Sequence, residues 1–193
     1  IARQLGIPCI VAASDLEDVV EGLPILVDGT TGIITLEPDA AEAEALVEKD
    51  AALRDEIRAW SGPATLSDGT HVQLLANVQD GAAARKASGS QAEGVGLFRT
   101  ELCFLTAQTE PSVNEQARIY GEVFAAFPDQ KVVVRTLDAG SDKPVPFANH
   151  DDEENPALGV RGIRLGWTNK GLIDRQLDAI AQAAEDNGVK EDR

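Results

Sequence analysis

Hydrophobic and polar positions follow two regimes along the 193-residue chain. Up to residue 36 the apolar residues come in short runs. Residues 1–8 read as the tail of a helix, stopped by Gly6 with Pro8 just beyond. Residues 9–13 (C-I-V-A-A) predict a short buried strand, and residues 15–21 a polar connection with room for one helical turn. Residues 24–27 and 32–36 are β-rich and flank Asp28-Gly29-Thr30-Thr31. That is a hairpin signal in which Asp-Gly supplies the turn chemistry. This stretch reads as the closing part of a small β-containing domain. Asp39 then opens a long helix, with Pro38 before it and Glu42 three residues on as an N-terminal capping pattern. Leu46, Leu53, Ile57 and Trp60 recur at spacings of seven, four and three, which puts them on one stripe. The other faces carry Ala, Glu, Asp, Lys and Arg. The helix is either a linker lying against a neighbour or half of a helical hairpin with an upstream partner. Ser61-Gly62-Pro63 end it, and the domain boundary falls within it.

After Thr70 the period changes. Residues 72–78, 94–98 and 131–137 read as strands, and residues 81–88, 112–127 and 171–185 as helices. In the second helix Val113, Ala117, Tyr120, Val123, Phe124 and Phe127 fall roughly on one side. In the third the apolar face is Leu172, Ile173, Leu177, Ile180, Ala181 and Ala184. Strand and helix alternating three times predict βαβ units and a parallel sheet, an α/β class. A closed (β/α)8 barrel takes about 250 residues, and residues 72–193 are too few for one. Either the sheet is small and open, or a barrel continues past Arg193.

Composition narrows the function classes. Lys plus Arg number 17 against 33 Asp plus Glu, a formal charge of −16. So acidic a chain argues against nucleic acid and against an anionic membrane surface as partners, since both need a basic footprint. No apolar run approaches the ~20 residues of a membrane span, and nothing at the start has a signal-peptide layout. The chain lacks Met and opens at Ile1, which suggests a segment of a longer product. Cys9 and Cys103 form no C-x-x-C pattern and read as two free, buried thiols in a reducing cytoplasm.

Two segments stand out chemically, A-E-G-V-G-L-F-R-T-E (residues 92–101) and V-V-V-R-T-L-D-A-G-S-D-K-P (residues 132–144). Each runs strand, Arg-Thr, then an acidic residue. The carboxyl ends of parallel strands gather at one mouth, where ligands bind, so Arg99 and Arg135 should converge there. A guanidinium is a permanent charge with a planar fork of donors that suits phosphate or carboxylate. Either arginine can instead pair with a nearby acid such as Glu101 or Asp138 for structural reasons alone. Two copies of the pattern favour an anion site. Gly94 and Gly96 leave room for close backbone approach. Lys143, Arg161 and Arg164 add cations on connecting segments. The acidic run 151–154 reads as a solvated loop rather than a metal site, His71 and His150 as ordinary surface or turn residues, and Cys103 as a packed thiol.

Together these segments resemble enzyme I of the bacterial phosphoenolpyruvate:sugar phosphotransferase system, over essentially the whole chain. I-A-R-Q-L-G-I-P (residues 1–8) is similar to the stretch just after that family's phosphorylated histidine. G-V-G-L-F-R-T-E (94–101), R-T-L-D-A-G-S-D-K-P (135–144) and E-E-N-P-A-L-G-V-R-G-I-R (153–164) are similar to the first third of its phosphoenolpyruvate-binding barrel. Ser141 departs from a frequent Gly. The resemblance implies residues 1–38 as the C-terminal part of a swivelling phosphohistidine β/α domain, 39–62 as a linker helix, and 63–193 as the first three βα units of a truncated TIM barrel. It implies transfer of the phosphoryl group of phosphoenolpyruvate to an enzyme histidine and on to the carrier protein HPr, the first step of sugar uptake. Arg99 and Arg135 are then expected to hold the phosphate, with Lys143 and Arg161 as secondary members. The phosphorylated histidine is expected upstream of Ile1. The acid cysteine and the Mg2+ ligands are expected beyond Arg193, so that the segment alone is inactive. A cytoplasmic homodimer is expected for the parent. A pyruvate phosphate dikinase or phosphoenolpyruvate synthase, a nitrogen-regulatory paralogue, and a non-catalytic fragment that self-associates through strand edges are the competing readings.

Overall fold

The computed structural model describes residues 2, 6–14, 16, 19–139, 145–148, 153–155 and 157–190. The chain divides into two compact units, Ile1–Trp60 and Ser61–Arg193.

In the first unit β1 (Ile25–Asp28) and β2 (Ile33–Leu36) pair antiparallel, Ile25 opposite Leu36. The connection between them is residues 29–32, close to the expected Asp28-Gly29-Thr30-Thr31 turn. The Asp28 carboxylate accepts from Thr30 N at 2.8 Å, Thr31 N at 3.2 Å and Thr31 Oγ1 at 2.7 Å. Gly32 then closes the loop at φ 76°. Helix α1 (Ala40–Ala59) starts where Asp39 accepts from the amides of Ala41 and Glu42, both at 3.0 Å. It buries none of its residues, and the stripe of Leu46, Leu53 and Ile57 is exposed. The expected buried strand at residues 9–13 is not formed: Val11 is 83% exposed and Cys9 is also at the surface. Ala12 sits at φ 54°, which breaks an extended run, and among the described residues no strand offers these residues a ladder. An apolar run becomes a strand only where a partner pairs its backbone.

The second unit is built on a parallel sheet in the order β3-β4-β5, with β3 at Ala76–Val78, β4 at Gly94–Arg99 and β5 at Lys131–Arg135. Helix α2 (Gly81–Ser88) links β3 to β4, and α3 (Val113–Ala126) links β4 to β5. A short helix α4 (Leu165–Thr168) and then α5 (Leu172–Asp186) follow β5. Helix α3 packs against both α2 and α5. Strand β3 is shorter than the expected 72–78. Leu74 gives both its backbone groups to Glu93, its N–H to the carboxylate and its carbonyl to the amide, so residues before Ala76 leave the ladder. The Ser112–Glu115 capping box starts α3. The core joins Val78, Val95 and Phe98 of the sheet to Tyr120, Val123 and Phe124 of α3 and Ala179 and Ala183 of α5. The Phe98 and Tyr120 rings meet edge to face at 5.8 Å.

The buried face of α5 differs from the predicted stripe. It is Leu172, Gln176, Ala179 and Ala183, whereas Leu177 is 49% exposed. The inward face of the helix carries a polar side chain, Gln176, bonded to Leu137 N, Thr100 and Tyr120, while Ile180 and Ala184 of the predicted stripe are partly buried against the core. Gly94 and Gly96 serve the sheet. A Cβ at Gly94 would lie 2.5 Å from Lys131 O of β5, and one at Gly96 2.8 Å from the Leu75 side chain. Gly94 also sits at φ 152°, which L side chains rarely adopt. Gly94→Ala is expected to cost about 2–4 kcal/mol, and urea unfolding of the second unit followed by its tertiary signal measures it.

Candidate anion-binding site

Strands β4 and β5 deliver two arginines to the same place. Arg99 and Arg135 are the last residues of their strands and are paired in the parallel register. Side chains at paired positions share one face of a sheet, with strands about 4.8 Å apart. Like charges so placed repel one another, and the fold supplies carboxylates. Immediately after Arg99 the chain turns into a 3-10 helix, Thr100–Cys103. This turn brings Glu101, fully buried, into an ion pair between its Oε1 and Arg135 Nη2. Asp138, three residues beyond Arg135, approaches Arg135 Nη1 at 3.5 Å and accepts from Arg161 Nε at 2.9 Å. Arg161 is held just before a 3-10 turn, Gly162–Arg164. Gly162, at φ 56°, brings the backbone close to Asp138.

Two guanidinium groups, those of Arg135 and Arg161, therefore share two carboxylates at the carboxyl end of the sheet, where β4 also ends in Arg99. The structural pairing open to these arginines is present for Arg135 and Arg161. Arg99 is different. It is half-buried, and its Nε is enclosed without a hydrogen-bond partner; Arg135 Nε is likewise enclosed and unpartnered. Buried donors of a charged group lacking a partner are costly. Of the four residues expected at the site, the structure brings Arg99 and Arg135 together by register and joins Arg161 to them through Asp138. Lys143 lies outside the described residues.

Several expectations change here. Glu154 is exposed, as expected, whereas Glu153 is half-buried, accepts from Val160 N and lies against Gly159 as a brace of its own loop. Asp151 and Asp152 lie outside the described residues, as does His150. His71 pairs with Glu93 at 2.8 Å on the surface. Among the described residues no three His, Cys, Asp or Glu side chains form a metal-ligand set. Cys103 donates from Sγ to Gln79 O at 3.2 Å, and burial, with the charges of Asp80, Glu101 and Glu122, pushes its thiol up to about 12. Cys9, expected to be buried, is exposed.

The sequence reading missed a polar cluster behind the strand ends, made by Thr100, Gln116, Tyr120 and Gln176. Its signal was Gln176 at the four-and-three spacing of the true buried face, Leu172, Gln176, Ala179, Ala183. Burial raises the Tyr120 phenol above its ordinary range, partly opposed by its bond with Gln176.

The geometry is that of arginines paired at the end of a parallel α/β sheet, and comparison with known proteins gives the class. Residues 54–190 match the family described as PEP-utilising enzyme, PEP-binding domain, and residues 1–32 match PEP-utilising enzyme, mobile domain. The chain belongs to the PEP-utilising enzymes. Among curated relatives it is 44% identical over 186 residues to a phosphoenolpyruvate-protein phosphotransferase of Streptomyces coelicolor, covering 96% of this chain and 34% of that protein. It is 39% identical over 187 residues to one of Haloferax volcanii, covering 95% of this chain and 32% of that protein. It is 38% identical over 195 residues to a multiphosphoryl transfer protein of Rhodobacter capsulatus, covering 98% and 24%. The chain thus spans about a third or less of the length of these relatives.

The two thiols should behave differently. Iodoacetamide at about pH 8 is expected to label Cys9 and spare Cys103 until the chain is unfolded, as mass spectrometry of the tryptic peptides will show. The raised thiol keeps Cys103 protonated in the fold. Its contribution is intact below its ordinary 9.0 and declines as the pH climbs from there toward about 12. Thermal unfolding across that alkaline window should show the decline.

Proposed function

We propose that this chain is the phosphate-gripping part of a phosphoenolpyruvate-protein phosphotransferase. In this reading Arg99 and Arg135 hold the phosphate of phosphoenolpyruvate, Arg161 is a secondary member, and Lys143 joins them. The observation that carries it is the in-register pairing of two arginines at the ends of adjacent parallel strands. The phosphoryl group then passes to a histidine of a mobile domain and on to HPr. Residues 1–38 belong to that mobile domain, 39–62 to the linker and 63–193 to the start of a TIM barrel. The family matches to residues 1–32 and 54–190 and the three-stranded parallel sheet support this division.

The chemistry asked of these residues is modest. Phosphoryl transfer depends on position and on neutralising the phosphate oxygens, and fixed guanidinium forks do both. Glu101 and Asp138 hold Arg135 and Arg161 in place before the substrate arrives, so little reorganisation is left for the reaction. Mg2+ belongs to the whole enzyme's reaction, where it neutralises phosphate charge; the described residues offer no ligand set for it. The phosphotransferase names of the relatives favour this reading over a dikinase or synthase. Among the described residues no helix is long and apolar enough to cross a membrane.

Arg99→Ala is the cleanest test, because Arg99 neutralises no buried acid. It is expected to weaken phosphoenolpyruvate binding to the chain by about tenfold or more, measured calorimetrically, with the fold unchanged. In a whole enzyme carrying this segment the phosphorylation rate should fall by about 100-fold or more. Arg135→Ala should also destabilise the fold, since it removes an ion pair made by the fully buried Glu101. Unaltered binding by Arg99→Ala defeats the assignment. The isolated chain, given phosphoenolpyruvate labelled in its phosphate, should take up no label; covalent labelling would show that it works alone.

A further inference from the structure

Behind the paired arginines lies a closed set of buried hydrogen bonds centred on Gln176, which is 2% exposed. Its Oε1 accepts from Leu137 N at 2.7 Å. Its Nε2 donates to Thr100 Oγ1 at 3.1 Å and to Tyr120 OH at 3.0 Å. Thr100 Oγ1 in turn donates to Arg135 O at 2.8 Å. Tyr120 OH donates to Gln116 Oε1 at 2.9 Å, and Gln116 Nε2 donates to Pro111 O at 2.9 Å. Each hydroxyl donates once and accepts once, so the directions of the protons are fixed. Thr100 follows Arg99 directly, while Arg135 O and Leu137 N bracket the exit from β5. One side-chain amide on α5 thereby fixes the backbone at both strand ends that carry the arginines.

An apolar residue at position 176 would pack as well against α3 without needing partners. The polar choice makes sense if the two strand ends must be held at one spacing. A site of two rigid forks loses grip when its support shifts by a fraction of an ångström. We infer that Gln176 is a positioning residue: acting through Thr100 and the β5 exit, it sets the spacing of Arg99 and Arg135 and hence the affinity for a phosphate-bearing anion. This rests on the anion-site reading proposed above.

The test uses the chain itself with four variants. Gln176→Leu removes the amide, Thr100→Val removes only the hydroxyl, and Thr100→Ser restores it. Val123→Ala is a control, since Val123 is equally buried on α3 and makes no polar contact. Two quantities are measured: the Nε–Hε NMR signals of Arg99 and Arg135 without ligand, and the calorimetric Kd for phosphoenolpyruvate. Gln176→Leu and Thr100→Val are expected to shift or broaden both arginine signals and to raise Kd about tenfold. Thr100→Ser should keep both near wild type. Val123→Ala should lower Tm and leave both unchanged. The inference is overturned if Gln176→Leu matches wild type in both quantities, or if Val123→Ala weakens binding as much at an equal loss of Tm. If Gln176→Leu does not fold, the Thr100 pair decides by the same criteria. If wild-type chain binds no phosphoenolpyruvate, the proposed site fails, and the ligand-free arginine signals still decide the positioning role.

Discussion

Two arginines at paired positions of neighbouring strands are the constraint around which the second unit is organised. Their charges cannot sit side by side in a half-buried setting without compensation. The fold answers with Glu101 against Arg135 and with Asp138 shared between Arg135 and Arg161. Because Glu101 is fully buried, its carboxylate is a usable counter-ion only when the turn after β4 places it accurately. With Arg99 ending the neighbouring strand, three arginines stand against Glu101 and Asp138 at this end of the sheet, in a chain of net charge −16. Away from this mouth the acidic chain gives an anion little electrostatic reason to stay.

The support behind the site is of two kinds. Apolar packing of Phe98, Tyr120, Val123 and Phe124 holds α3 on the sheet. A polar chain from Pro111 O through Gln116, Tyr120 and Gln176 then ties α3 and α5 to the strand ends. Buried polar groups are tolerable only when every member is satisfied, and here the hydroxyls and amides complete one another. Packing gives the unit its stability, while the polar chain gives one corner of it a defined shape.

Much of this was legible in the sequence where local rules decide the outcome. The Asp39 cap and the strand-Arg-Thr repeats lie within a few residues of what they determine. The parallel sheet followed from strand–helix alternation. What failed depended on partners distant in sequence. Residues 9–13 look like a strand but find no ladder. Leu177 reads as core, yet α5 turns Gln176 inward because Thr100 and Leu137, far away in the chain, need its amide. At the site the arginine types were readable, but the carboxylates that orient them were open between two roles. Only the register of β4 against β5 shows that Glu101 reaches across to the neighbouring strand's arginine.

The turn at Thr100–Cys103 has a consequence for how such chains can diverge. Arg99 belongs to the ladder, Thr100 to the buried hydrogen-bond set, and Glu101 to the ion pair, on three consecutive residues with no slack between them. An insertion or deletion of one residue there would swing the acid out of reach and cost Arg135 its pairing with the buried Glu101. A shift of one residue in this stretch would therefore disturb the ladder, the hydrogen-bond set and the ion pair together, so the three consecutive residues act as a fixed ruler for this corner of the unit.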